Sequence, residues 1–199
     1  MKKTAISIVA LLCSALACGA QAQINPGTAN LRFNEQVSNA PPGTCGCFGL
    51  AGVAGDAAWN LFAIGTSHRA GLGVAGDVGV VHTGQVNGAD YGLTLTTFTA
   101  GPRVRVPGKR VQTFGQALFG VAHGSGSQFP SGNTLVSSAN SFALDLGGGV
   151  DYSIGNRFSL RAVQLDYLRT NLPNILSGWQ NNLRIGVGVT VRFGSLAKR

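Results

Sequence analysis

Asn182-Leu-Arg-Ile-Gly-Val-Gly-Val-Thr-Val-Arg-Phe193 is the stretch whose pattern decides the fold. Its odd positions, Leu183, Ile185, Val187, Val189, Val191 and Phe193, are all apolar, and its even positions are Asn182, Arg184, Gly186, Gly188, Thr190 and Arg192. Side chains on a strand point alternately to opposite faces, so one face here is wholly apolar and the other polar or small. A soluble sandwich can also produce such a strand. Two arginines opposite an apolar face that ends in an aromatic suit a strand between lipid and a wet lumen, and a tilted membrane strand needs roughly 9–11 residues. The segment is expected to be the closing strand of a membrane barrel.

The chain upstream agrees. After the start, no window holds the ~18 uninterrupted apolar residues of a spanning helix. Yet mean hydropathy is +0.20, with 30 glycines and only 11% charged residues. Hydrophobicity is spread out, as it is when lipid-facing and lumen-facing residues alternate. Met1-Lys2-Lys3, the apolar run Ala5 to Ala17 and Ala20-Gln21-Ala22 read as a secretory signal peptide over residues 1–22. Residues 23–199 are then one expected domain, an all-β, antiparallel, up-and-down eight-stranded transmembrane barrel.

Eight candidate strands follow one another: Thr28 to Ser38, Phe48 to Ala63, a third around Leu72 to Val80, Tyr91 to Val104, Val111 to His123, Phe142 to Tyr152, Arg157 to Arg169, and the closing one. The fourth changes phase between Leu95 and Phe98, which predicts a β-bulge near Thr96 and Thr97. The phase of the fifth is not settled by its residues. The seventh slips at Ala162 and Val163, which predicts a second bulge. Gly124 to Asn140, rich in Gly, Ser and Asn, is expected to be a long loop. Connections alternate long and short, as in a barrel with short periplasmic turns and longer extracellular loops.

Polar residues that share the inward face form the candidate site. Asp56, Asp77, Asp145, Asp151 and Asp166, with Arg161, Arg184, Arg192 and Arg103, are expected to build a lumen network, because charge on the lipid face costs ~2–4 kcal/mol at the midplane. A packed polar core accounts for them, and a narrow gated ion path is the functional alternative. The net charge of +8 is dispersed, which argues against nucleic acid. Cys45 and Cys47, flanking one glycine, permit a disulfide in an exported chain. His68, His82 and His123 have no metal-like spacing, and no metal or other cofactor is expected. Gly71 to Gly76 matches a dinucleotide fingerprint, but strand continues where a helix is required. His123-Gly-Ser125 carries a third reading, a lipid-A deacylase-type hydrolase with Asp145 as the acid. The expectation is a non-enzymatic barrel.

Phe142 to Tyr152, Arg157 to Arg161 and Asn181 to Phe193, with Gly101-Pro102-Arg103 and Ala117-Leu-Phe-Gly120, resemble the small bacterial outer-membrane β-barrel superfamily of porin-like surface barrels. That resemblance implies the outer membrane as location, lipid and lipopolysaccharide as surroundings, and extracellular ligands at the loops. It also implies that Phe193, the final aromatic, is the signal read by the barrel-assembly machinery.

Overall fold

A computed structural model describes residues 27–38, 47–64, 70–86, 90–173 and 178–194. The expected leader 1–22, Cys45, and the expected short turn Gly65 to His68 lie outside these residues. Eight antiparallel strands follow in chain order: β1 (Gly27–Ser38), β2 (Phe48–Ile64), β3 (Ala70–Thr83), β4 (Leu93–Val106), β5 (Val111–Ser131), β6 (Thr134–Ser153), β7 (Phe158–Thr170) and β8 (Gln180–Phe193). Each pairs with its chain neighbour. β1 also pairs with β8 from Gly27↔Phe193 to Ser38↔Asn182, so the sheet closes into a barrel. Closure leaves no edge whose backbone groups would go unpaired in hydrocarbon.

Burial is inverted relative to a water-soluble domain. On β1, Thr28, Asn30, Arg32, Asn34, Gln36 and Ser38 are buried, while Leu31 and Phe33 are 68% and 49% exposed. On β8, Leu183, Ile185, Val187 and Val189 are likewise exposed, opposite buried Asn182 and Arg184. The alternation of the closing segment therefore sorts side chains between an apolar outer wall and a polar interior.

Three expectations need correcting or completing. Gly124 to Asn140 is not a loop: β5 and β6 continue as a hairpin, with Ser131↔Thr134 closing a two-residue turn in which Gly132 has φ of 59°. Polar strands can project into water because their backbone is paired and only one turn must be satisfied. The bulge at Thr96 and Thr97 is absent. β3 and β4 keep register from Thr83↔Leu93 to Gly71↔Arg105, with Leu93, Leu95, Thr97 and Thr99 all buried and Phe98 outward. The apparent slip comes from apolar residues pointing into the lumen at one end. In β5, Gln112, Phe114, Leu118 and Ala122 point inward and Phe119 and Val121 outward. The bulge at Ala162 and Val163 is present, where these two residues stand opposite Val187 alone. A further irregularity lies between Asn60 and Phe62 in β2.

Candidate functional site

The interior has two tiers. The end that carries Gly27 and Phe193 and the barrel's middle are filled by charge. Asp56 is the hub: its Oδ1 accepts from Arg103 Nη1 at 2.6 Å, and its Oδ2 accepts from Arg161 Nη1 at 2.6 Å and Arg32 Nη1 at 3.0 Å. Arg161 Nε also donates to Asp151 Oδ1 at 2.8 Å, and Arg105 Nη1 reaches Asp151 Oδ2 at 3.3 Å. Arg32 continues to Asp77 Oδ2 at 2.5 Å. Arg184 pairs with Asp145 and lies 3.6 Å from Asp166.

Glutamines join these groups into one network. Arg103 Nε donates to Gln116 Oε1 at 3.0 Å, and Gln116 Nε2 donates onward to Asp166 Oδ1 at 3.4 Å. Gln164 accepts from Arg161 at 2.8 Å and donates to Asp166 Oδ2 at 2.8 Å. The Phe114 ring lies under Arg103, Arg105 and Arg161, at 4.6, 5.6 and 4.4 Å from their guanidinium carbons. Cation–π attraction and apolar packing let one ring sit among three cations. Gly147 and Gly149 make the space. A Cβ on Gly147 would stand 2.0 Å from Asp166 Oδ1, and one on Gly149 2.9 Å from the Phe114 ring.

Five arginines and five aspartates thus neutralise one another, and Arg32, Arg103 and Arg161 are at most 1% exposed. Arg192 stands apart at the terminal end, donating to Ser153 Oγ at 3.0 Å and to the carbonyls of Gly155 and Phe158. Buried charges are tolerable only when paired in this way. The structure brings Asp56, Asp77, Asp145, Asp151, Arg161, Asp166 and Arg184 together and leaves Arg192 outside. It adds Arg32, Arg105 and Phe114, which the sequence reading did not assign to the network. Parity was the available signal for the first two: Arg32 lies two residues from Asn34 and Arg105 two from Arg103, on inward faces.

The opposite, loop-bearing end is closed by a different material. Leu50, Val81, Val86, Leu93, Leu95, Ala122, Phe129, Ala143, Leu168 and Leu172 form an apolar cluster inside the mouth. Phe129 reaches it because the ladder shifts between Ser125 and Phe129, folding the ring over Gly124.

The remaining candidates lie on the wall. His123 Nδ1 is hydrogen-bonded to Asn140 Oδ1 at 2.7 Å, whereas Asp145 faces the lumen and pairs with Arg184. His123, Ser125 and Asp145 do not form a triad, since the wall separates the first two from the acid. Phe193 lies outward, its ring 5.9 Å from Trp59. Cys47 is disulfide-bonded, and Cys45 lies outside the described residues. Among the described residues no His, Cys, Asp and Glu cluster could hold a metal.

Comparison with known proteins gives this architecture its place. The chain is similar in fold to the Neisserial surface protein A (NspA), with a TM-score of 0.59 at 13% identity over 84% of this chain and 97% of that one. It is similar also to Ail, the attachment invasion locus protein of Yersinia pestis, at a TM-score of 0.53 and 18% identity over 84% and 99%. Ail in complex with the heparin analogue sucrose octasulfate gives 0.52 and 17% over the same shares. No curated protein matches the sequence. A family model described as the outer membrane protein beta-barrel domain matches residues 8–193. The chain belongs to this outer membrane protein β-barrel family and resides in the bacterial outer membrane.

Proposed function

We propose that the protein is a non-enzymatic barrel with a structural or surface-interaction role, and that the β5–β6 hairpin is the part it presents outside the cell. The observation that carries this is a closed interior beside a projecting hairpin. β4 stays paired to β5 only up to Thr94↔Ser125, and β7 to β6 only up to Ala143↔Thr170. The hairpin beyond continues for about six residues per strand, which at ~3.3 Å each is about 20 Å. Its tip, Ser131 to Ser138, is exposed throughout, with Leu135 59% exposed.

The chemistry of that surface narrows the partner. The segments 39–47, 84–92, 124–140 and 171–179 contain one formal charge, Asp90. Ail was solved with a sulfated sugar analogue; a polyanion would find no Lys or Arg in the hairpin here. A protein partner that uses hydrogen bonds and the free backbone edge of Thr134 to Phe142 fits better. Export through the leader 1–22, recognition of Phe193 by the barrel-assembly machinery and a Cys45–Cys47 disulfide complete the proposal.

Replacing residues 126–138 by a two-residue turn tests it. The parent and the shortened barrel are both expected to shift in electrophoretic mobility on heating, and the shortened barrel is expected to lose adhesion of expressing cells to extracellular-matrix proteins. Unchanged adhesion would refute the hairpin's role. The channel alternative is opposed by the two filled tiers, and planar-bilayer recording should show no steady conductance.

A further inference from the structure

The basic side chains divide by position, with one exception. Among the described residues, Arg32, Arg103, Arg105, Arg161, Arg184 and Arg192 are directed into the lumen or its terminal mouth, and Lys109, Arg110 and Arg157 lie at the short turns of the terminal end. Among the described residues Arg169 is the one Lys or Arg outside the lumen in the loop-bearing half. It is an outward position of β7, between Leu144 of β6 and Asn181 of β8.

We infer that Arg169, stacked on Trp179 and flanked by Asn181, binds the phosphate of an outer-leaflet lipid headgroup. The loop-bearing end is the extracellular one, because the termini and short turns share the other end. An outward residue at that rim meets headgroups of the outer leaflet. A guanidinium there needs an anion, since a charge taken partly out of water without a partner is costly. The protein supplies none: Arg169 makes no ion pair among the described residues, and its Nε is buried without a hydrogen-bond partner. Of the exposed acids in this half among the described residues, Glu35 of β1 is opposite Ile185, on the far side of β8, and Asp90 lies in the connection before β4.

The geometry prepares the group rather than neutralising it. The Arg169 guanidinium carbon lies 4.0 Å from the Trp179 ring centroid, which fixes the plane and leaves its N–H edge free. A planar fork of N–H donors matches two phosphate oxygens. Tyr167 donates its hydroxyl to Asn181 Oδ1 at 2.7 Å, leaving the Asn181 amide N–H groups to serve a third. Gln180 accepts from Leu172 N at 2.9 Å and donates to Leu172 O at 2.7 Å, which holds the chain entering β8 beside Trp179. Tryptophan at the interface and an arginine extended toward the headgroups are both favoured there. The inference does not depend on the hairpin's partner.

Native mass spectrometry of the folded, detergent-solubilised barrel titrated with lipid A provides the test. The parent should bind lipid A, Arg169→Gln about tenfold more weakly, and Trp179→Leu about threefold more weakly. Arg157→Gln, at the other interface, should bind like the parent. Each variant is first shown to be folded by its mobility shift on heating, and Trp179→Leu serves if Arg169→Gln does not fold. Lipid A lacking its phosphates should bind as weakly as the Arg169→Gln variant does. Equal affinity of parent and both Arg169 and Trp179 variants would overturn the site. Displacement of lipid A by equimolar inorganic phosphate would overturn the lipid headgroup as its source.

Discussion

The two tiers of the lumen do the same task with opposite materials. Around Asp56, charges and amides fill the barrel, each held by partners on other strands. Beneath the loop-bearing mouth, Leu93, Leu95, Phe129 and Leu168 supply hydrocarbon beside buried Gln36, Ser38, Thr170 and Asn182, none of them charged. A membrane barrel is therefore not simply a soluble domain turned inside out. What counts inside is that the space is filled and that each buried charge is either paired or replaced by hydrocarbon, and either chemistry achieves that. They differ in how they fail. A polar tier fails when one partner is removed and the rest remain charged, whereas an apolar tier loses only contacts.

The largest expected effect follows from that asymmetry. Asp56→Ala leaves Arg32, Arg103 and Arg161 facing one another and should destabilise the barrel by about 3–5 kcal/mol. Urea titration of the folded, unheated electrophoretic band measures it. Leu168→Ala, fully buried in the apolar tier, should cost about 2 kcal/mol, the low end of the usual range because the mouth can close in. Equal losses would show that the tiers do not differ as argued. Leu95→Ser with Leu168→Ser loosens the cap, yet planar-bilayer conductance should stay near zero because the ion-paired tier still blocks the path. Steady current from this pair would make the cap the gate. His123→Ala has the smallest effect: it removes one neutral hydrogen bond on the wall, worth ~1 kcal/mol, and should leave the mass of cellular lipid A unchanged. A lipid-A mass shift abolished by this substitution would revive the hydrolase alternative.

The same contrast explains what could be read before the structure. Where one face of a strand is polar and small, as in β8, residue parity reveals the inward side. Where the lumen turns apolar, parity is masked: Leu93 and Leu95 look like wall residues, and the regular β4 imitates a bulge. β5 suffers twice, because Phe114 and Leu118 are inward while Phe119 and Val121 are outward. The bulge at Ala162 and Val163 was legible because a polar inward series, Arg161 then Gln164 and Asp166, resumes on the other parity. Asn140 beside His123 was not legible, since it depends on β5–β6 register across a segment with no hydrophobic pattern to set it.

Alternation, length and the succession of strands determined by themselves that this chain makes a membrane barrel and that Asp56, Asp77, Asp145, Asp151 and Asp166 lie inside, because a period of two assigns faces locally. Which arginine meets which aspartate was decided only by tertiary structure. Asp56 and Arg161 are separated by 105 residues and meet across the lumen because closure and stagger bring distant strands to one height. The hairpin, the apolar cap and the Arg169–Trp179 stack likewise depend on contacts between strands, which no pattern within one strand encodes.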